Sequence, residues 1–138
     1  MQYAGFWLRW IAYVIDSAIV GALPLIVALI IAPIFFASSR AVAILGVIFF
    51  IVPTAGTVGW LYYSLMESSA YQATLGKRLL GLKVTTLKGD PVSFGRASAR
   101  FFAKILSSVL LIGFLMAAFT AKKQALHDLI AGCVVIRA

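Results

Sequence analysis

Apolar positions fill the first half of the chain almost without a break, and the few breaks divide it into two helices. From Trp10 to Ser39 the one charged residue is Asp16, and from Ala41 to Met66 there is none. About 20 mostly apolar residues cross a ~30 Å hydrocarbon core, so both runs are long enough to span with some tilt. The pattern predicts transmembrane helices at about 6–36 and 41–66. The connection Ser38-Ser39-Arg40 is short enough to force the second helix back antiparallel to the first. Tyr3, Phe6, Trp7, Trp10 and Tyr13 at the start of the first span, and Trp60, Tyr62 and Tyr63 at the end of the second, have the composition of interfacial belts. Pro24 and Pro33 free the carbonyls of Val20 and Leu29 and predict a kink, with Pro33 near the exit. An apolar run of this length that contains an aspartate exceeds a signal peptide's core, so an uncleaved span is expected.

The second span contains Pro53-Thr54-Ala55-Gly56-Thr57-Val58-Gly59, small and hydroxylic residues that let another helix approach closely. Thr54 or Thr57 can bond the carbonyl that Pro53 frees on Phe49. Such a segment is either a packed kink or the broken helix of an ion site.

After Met66 the pattern changes. Residues 67–104 hold Lys77, Arg78, Lys83, Lys88, Arg96, Arg100 and Lys104 against Glu67 and Asp90, and the positive-inside rule assigns this loop and the N-terminus to the cytoplasm. Leu79 to Leu87, followed by the turn signal Lys88-Gly89-Asp90-Pro91, predicts a short β-hairpin at the membrane surface. From Ser93 a helix begins on which Arg96, Arg100 and Lys104 recur every fourth position, the cationic face of an interfacial helix. A third apolar run, 105–121, either spans or folds back at Gly113; re-entry keeps Lys122 and Lys123 in the cytoplasm. In the tail, 122–138, a short helix closes at Gly132, and Cys133-Val134-Val135-Ile136 can add a strand to the hairpin. The expected architecture is one all-α membrane domain with a small β element, without an internal repeat.

Composition agrees with a membrane protein: 63% of the 138 residues are hydrophobic and 12% charged, where soluble domains carry about 25% charged residues. The net charge of +8 lies on the flanks of apolar runs and forms no nucleic-acid-binding stripe. One cysteine, Cys133, has no intrachain disulfide partner and reads as a small buried residue. Gly76-Lys77 is no phosphate loop, since Tyr71 stands where the earlier glycine is required. No nucleophile, cofactor motif, metal cluster or carboxylate pair suggests an enzyme. Lys77, Arg78, Lys83, Arg96, Arg100 and Lys104 are expected to face anionic lipid headgroups.

Arg9 and Asp16 are the chemically expensive residues of the first span. Their separation of seven puts them on one helix face, offset by ~20° but about 10 Å apart along the axis. Arg9 can snorkel to the inner interface and reach Asp128 in the tail. Asp16 lies deeper, and its charge costs about 2.5–3.5 kcal/mol on insertion scales. It is either a desolvated carboxylate able to exchange a proton for a cation, with Thr54 and Thr57 as neighbours, or a structural acid satisfied by Arg9, Thr57 or backbone. His127, adjacent to Asp128, does not face it on a helix and reads as packed or solvated.

Arg9, Asp16, the stretch Thr74-Leu75-Gly76-Lys77-Arg78-Leu79-Leu80-Gly81-Leu82-Lys83-Val84 and the tail His127-Asp128-Leu129-Ile130-Ala131-Gly132 together resemble the RDD family of small bacterial membrane proteins. The family is named for an arginine and two aspartates, here Arg9, Asp16 and Asp128. Cys133 departs from the family's usual threonine. The resemblance implies a bacterial inner-membrane location, transport of ligands not yet identified and, for some members, cation/proton exchange. Transport through two spans would require a homo-oligomer. The alternative is an accessory module that binds anionic lipid or partner proteins through its basic cytoplasmic surface.

Overall fold

The computed structural model describes residues 2–109, 116 and 118–138. Two long antiparallel helices carry a small cap of helices and strands at one end. Helix α1 is Phe6–Phe36 and α2 is Arg40–Ser68. In the most apolar stretch of each, only 6% and 11% of residues are buried. Side chains such as Leu25, Leu29, Ile30, Ile34 and Phe49 are more than half exposed. An apolar surface this continuous has no stable place in water, and suits a lipid environment.

Helix α1 runs through Pro24 and Pro33 and ends at Phe36, soon after the second proline. In α2 the turn Val47–Ile51 is a π-helix, in which the Val52 amide bonds back to the Val47 carbonyl. The wider turn lies directly before Pro53, whose ring would otherwise press on the carbonyl one turn back. Thr54 Oγ1 donates to the carbonyl of Phe50 at 2.6 Å. The bond is thus of the expected kind but on Phe50, one residue beyond the carbonyl freed on Phe49.

The cap comprises α3 (Leu75–Leu79), β1 (Leu82–Thr86), α4 (Phe94–Val109), α5 (Leu126–Ala131) and β2 (Cys133–Arg137). Strand β1 pairs antiparallel with β2, from Leu82 opposite Arg137 to Thr86 opposite Cys133. The local hairpin expected after Leu87 is therefore corrected. The Lys88-Gly89-Asp90 turn forms, but its return limb is a single bridge between Thr85 and Pro91, and β1 is completed by the tail. Pro91 lacks the N–H that a longer ladder would need. The N-terminus adds to the other side of β2: Tyr3 bridges Ile136, and the Ala4 amide donates to the Val135 carbonyl at 2.8 Å. Residues 3–4 and strand β2 thus meet in the cap. Its apolar core is Ala4, Ala12, Leu82, Val84, Val92, Ala97, Ala131, Cys133 and Val135. Gly132 closes α5 at φ +64°, a left-handed conformation that glycine adopts without a Cβ penalty.

Helix α4 turns the expected interfacial geometry around. Phe102, Ile105 and Leu106 are exposed, whereas Arg100 is buried and Lys104 largely so. The first residues of the third apolar run, Ile105–Val109, continue α4. Residues 110–115 and 117 lie outside the described residues, and with them the choice between re-entry and crossing.

Candidate functional site

Two polar clusters fix the cap to the long helices. The first is built around Asp16, which is fully buried. One carboxylate oxygen accepts from the Tyr62 hydroxyl and the Gly76 amide, both at 2.8 Å, and the other accepts from Thr74 Oγ1 at 2.6 Å. The Tyr62 hydroxyl in turn accepts from the Leu75 amide at 3.1 Å. Asp16 thus satisfies the Gly76 amide at the start of α3 as an N-cap side chain would, but from a different helix, and the Tyr62 hydroxyl that it holds satisfies the Leu75 amide. A Cβ on Gly76 would run into the Ala12 carbonyl and lie 2.9 Å from the Asp16 carboxyl, so glycine is required by close approach.

Of the partners expected for a structural Asp16, the backbone group is present as the Gly76 amide, while the expected threonines and Arg9 are placed elsewhere. Thr57 is exposed, Thr54 bonds its own helix, and neither they nor Arg9 are among the Asp16 partners described above. Asp16 is level with Tyr62, and Thr54 lies eight residues away, roughly 12 Å along α2. A 31-residue helix measures about 46 Å, well beyond a ~30 Å core, so the first turns of α1 can stand clear of the hydrocarbon. Asp16 therefore meets the cap instead of lying stranded in the bilayer.

The second cluster is an ion-pair chain. Arg100 Nη1 donates to both oxygens of Glu67 at 2.6 Å, while its Nε and Nη2 reach Asp128 Oδ1 at 2.7 Å. Lys77 pairs with the same Glu67, and Arg9 pairs with Asp128. Arg9 Nη1 also donates to the Lys123 carbonyl at 2.5 Å, and Asp128 accepts from the Ala125 amide at 3.1 Å. The sequence Lys77–Glu67–Arg100–Asp128–Arg9 thereby ties α3, α2, α4, α5 and α1 together. Lys104 stands at its edge, 4.0 Å from Glu67 and 3.9 Å above the ring of Tyr63.

The pair between Arg9 and Asp128 was legible in the sequence. Three basic residues assigned to headgroups were placed differently: Lys77, Arg100 and Lys104 turn inward, because Glu67 and Asp128 are buried and require counter-charges. Arg78, Lys83 and Arg96 are exposed, and Arg78 lies over the ring of Tyr71. In the sequence Tyr62 reads as a belt residue, Thr74 as part of the family stretch and Glu67 as a loop charge, although a lone acid at the end of an apolar span among lysines and arginines is a usable signal of a buried ion pair. The aromatic belt of α2 also faces inward in part. Tyr62 holds Asp16, Tyr63 is buried against Phe101, and Trp60 Nε1 donates to Ser98 on α4 at 3.0 Å.

Burial opposes ionisation of Asp128, but Arg100 and Arg9 outweigh it and hold its carboxyl well below the usual range. Burial pushes Lys104 well below the usual lysine value, and Lys77 adds to the effect. It likewise lowers His127, whose Nε2 is 3.4 Å from Asp128 Oδ1, so that histidine is packed and neutral at pH 7. Cys133 is buried at the start of β2, and burial raises its thiol. Among the described residues no group of three or more His, Cys, Asp or Glu could hold a metal ion.

Comparison with known proteins identifies the family of the chain. YxaI of Bacillus subtilis (strain 168), an uncharacterized protein, is 38% identical, covering 92% of each chain. YteJ of the same organism, an uncharacterized membrane protein, is 29% identical over 97% of this chain and 80% of its own. An uncharacterized protein of Haemophilus influenzae is 34% identical over 60% of this chain and 58% of its own. No solved structure matches. The RDD family model matches residues 3–132, a range that takes in Arg9, Asp16, the Thr74–Lys77 corner and Asp128, and the chain belongs to the RDD family.

Proposed function

We propose that this protein is a membrane-embedded accessory module, in which two spanning helices carry an ion-paired cytoplasmic cap that rests on anionic lipid headgroups. The observation that carries this reading is the segregation of charge. Of the 4 acidic residues, Asp16, Glu67 and Asp128 are buried, whereas Arg78, Lys83, Lys88, Arg96, Lys122 and Lys123 are exposed with Asp90 as the exposed acid. Each exposed cation near an anionic surface contributes about 1 kcal/mol of attraction. The same excess favours a cytoplasmic cap, with both termini inside and Arg40 outside, in a multi-pass protein of the bacterial inner membrane.

Exchange of protons for cations requires an acid that can release one partner and take another. Asp16 has both oxygens committed to Tyr62, Thr74 and Gly76, which supports a structural role. An accessory module needs no enclosed pathway and hence no oligomer.

The test is thermal unfolding of the full chain in nanodiscs. Phosphatidylglycerol should raise the melting temperature above that in phosphatidylcholine, salt should reduce the gain, and the combined Arg78→Gln, Lys83→Gln and Arg96→Gln variant should remove the salt-sensitive part of it. Equal stability in both lipids would contradict the reading.

A further inference from the structure

We propose that the cleft between α1, α2 and α4 binds one anionic glycerophospholipid from the surrounding leaflet, with its phosphate at Lys104 and Tyr63 and an acyl chain in the apolar groove beyond. Two cavities meet at these residues. The inner one, about 50 Å³, is bounded by Arg9, Lys77, Arg100 and Lys104 among others, and has room for roughly three or four waters. The outer groove, about 310 Å³, is lined by Val20, Pro24, Ala55, Gly59, Phe101 and Ile105. Tyr13, Tyr63 and Lys104 border both.

Charge complementarity selects the head of the occupant. Glu67 already receives Arg100 through both oxygens and Lys77, and Asp128 receives Arg100 and Arg9. Lys104 is left with a 4.0 Å approach to Glu67 and the face of Tyr63. Around the inner cavity four basic side chains, Arg9, Lys77, Arg100 and Lys104, meet three carboxylates, Asp16, Glu67 and Asp128, and an anion at Lys104 would hold that lysine charged against its burial. A second observation points the same way. Tyr63 is 7% exposed, and its hydroxyl has no hydrogen-bond partner among the described residues. A buried hydroxyl in that state costs free energy that a phosphate oxygen would recover.

The walls select the tail. Val20, Pro24, Ala55 and Gly59 belong to the two long apolar helices, so the groove opens to the lipid phase and its filling must be apolar. Gly59 keeps the groove deep: a Cβ there would meet Phe101 at 3.4 Å and Val20 at 3.7 Å. An apolar chain joined to an anionic head describes a phospholipid of the membrane itself. This site goes beyond headgroup attraction at the exposed cap, because it lies in the cleft between the helices, takes one lipid per chain and uses none of Arg78, Lys83 or Arg96.

Native mass spectrometry of the full chain in neutral detergent, with phosphatidylglycerol or phosphatidylcholine added, tests it. Wild type should retain one phosphatidylglycerol at least tenfold more than phosphatidylcholine, with little effect of salt. Lys104→Gln should reduce retention to the phosphatidylcholine level, Tyr63→Phe should weaken it severalfold, and Gly59→Leu should exclude both lipids. Arg78→Gln with Lys83→Gln should leave retention unchanged, which separates this site from the cap surface. Should Lys104→Gln fail to fold, Tyr63→Phe and Gly59→Leu decide. Equal retention of both lipids, retention indifferent to these site variants, or a dimer whose formation displaces the lipid would overturn the proposal.

Discussion

The Gly76 amide lies 2.8 Å from the Asp16 carboxylate, with no space between the two backbones for a side chain. That contact sets the height at which the cap meets the first long helix. It also changes the meaning of an acid in an apolar run: Asp16 is the acceptor around which the corner after α2 is folded.

Gly76→Ala should therefore be among the most damaging single-methyl changes in the chain. The new Cβ has backbone on one side and the Asp16 carboxyl on the other, so neither can yield cheaply. A loss of about 2–4 kcal/mol is expected, with a cap that unfolds before the long helices. Denaturant titration in detergent, followed by Trp60 fluorescence, measures it.

Arg100 carries the second junction. Arg100→Met would leave Glu67 and Asp128 buried and short of their principal partner, at a cost of about 3–5 kcal/mol. Arg100→Lys should recover little, because one ammonium cannot span two carboxylates held by separate faces of a guanidinium. A double-mutant cycle of Arg100→Met with Glu67→Gln should show strong coupling, since both changes remove the same contacts.

Much of this fold is legible in the sequence. The long apolar runs predict both long helices to within two residues at each end, because the Ser38-Ser39-Arg40 break and the onset of charge at Glu67 mark their limits. The Arg9 and Asp128 pair followed from the scarcity of acids. What was missed is tertiary. The basic positions of α4 look like an interfacial face until Glu67 and Asp128 are placed beneath them. The tail strand expected over Cys133–Ile136 does join β1, but as its direct antiparallel partner and not as a third strand on a local hairpin. Periodicity reports that a face is polar, and the partners decide which way it points.

Acid should weaken the cap in two stages. His127 is neutral in the fold with a lowered pKa, so the unfolded chain takes up a proton below about pH 6.5 that the folded chain does not, and stability falls. Asp128 has a depressed carboxyl; its contribution is complete above the unfolded value of about 3.9 and is lost as pH drops below it. His127→Gln should flatten the stability profile between about pH 6.5 and 4 and keep the lower limb. Melting temperatures across pH 3–8 (a range of roughly those two transitions) check both stages.

Asp16→Asn should keep one acceptor oxygen and lose another, costing about 1–3 kcal/mol without unfolding the long helices. The most direct test of the account is proton flux in proteoliposomes under an imposed sodium or potassium gradient, for wild type and for an Asp16→Asn protein shown to be folded. The account predicts background flux from both, with the substitution visible only as lost stability. Cation-driven flux in wild type that disappears in folded Asp16→Asn would contradict it.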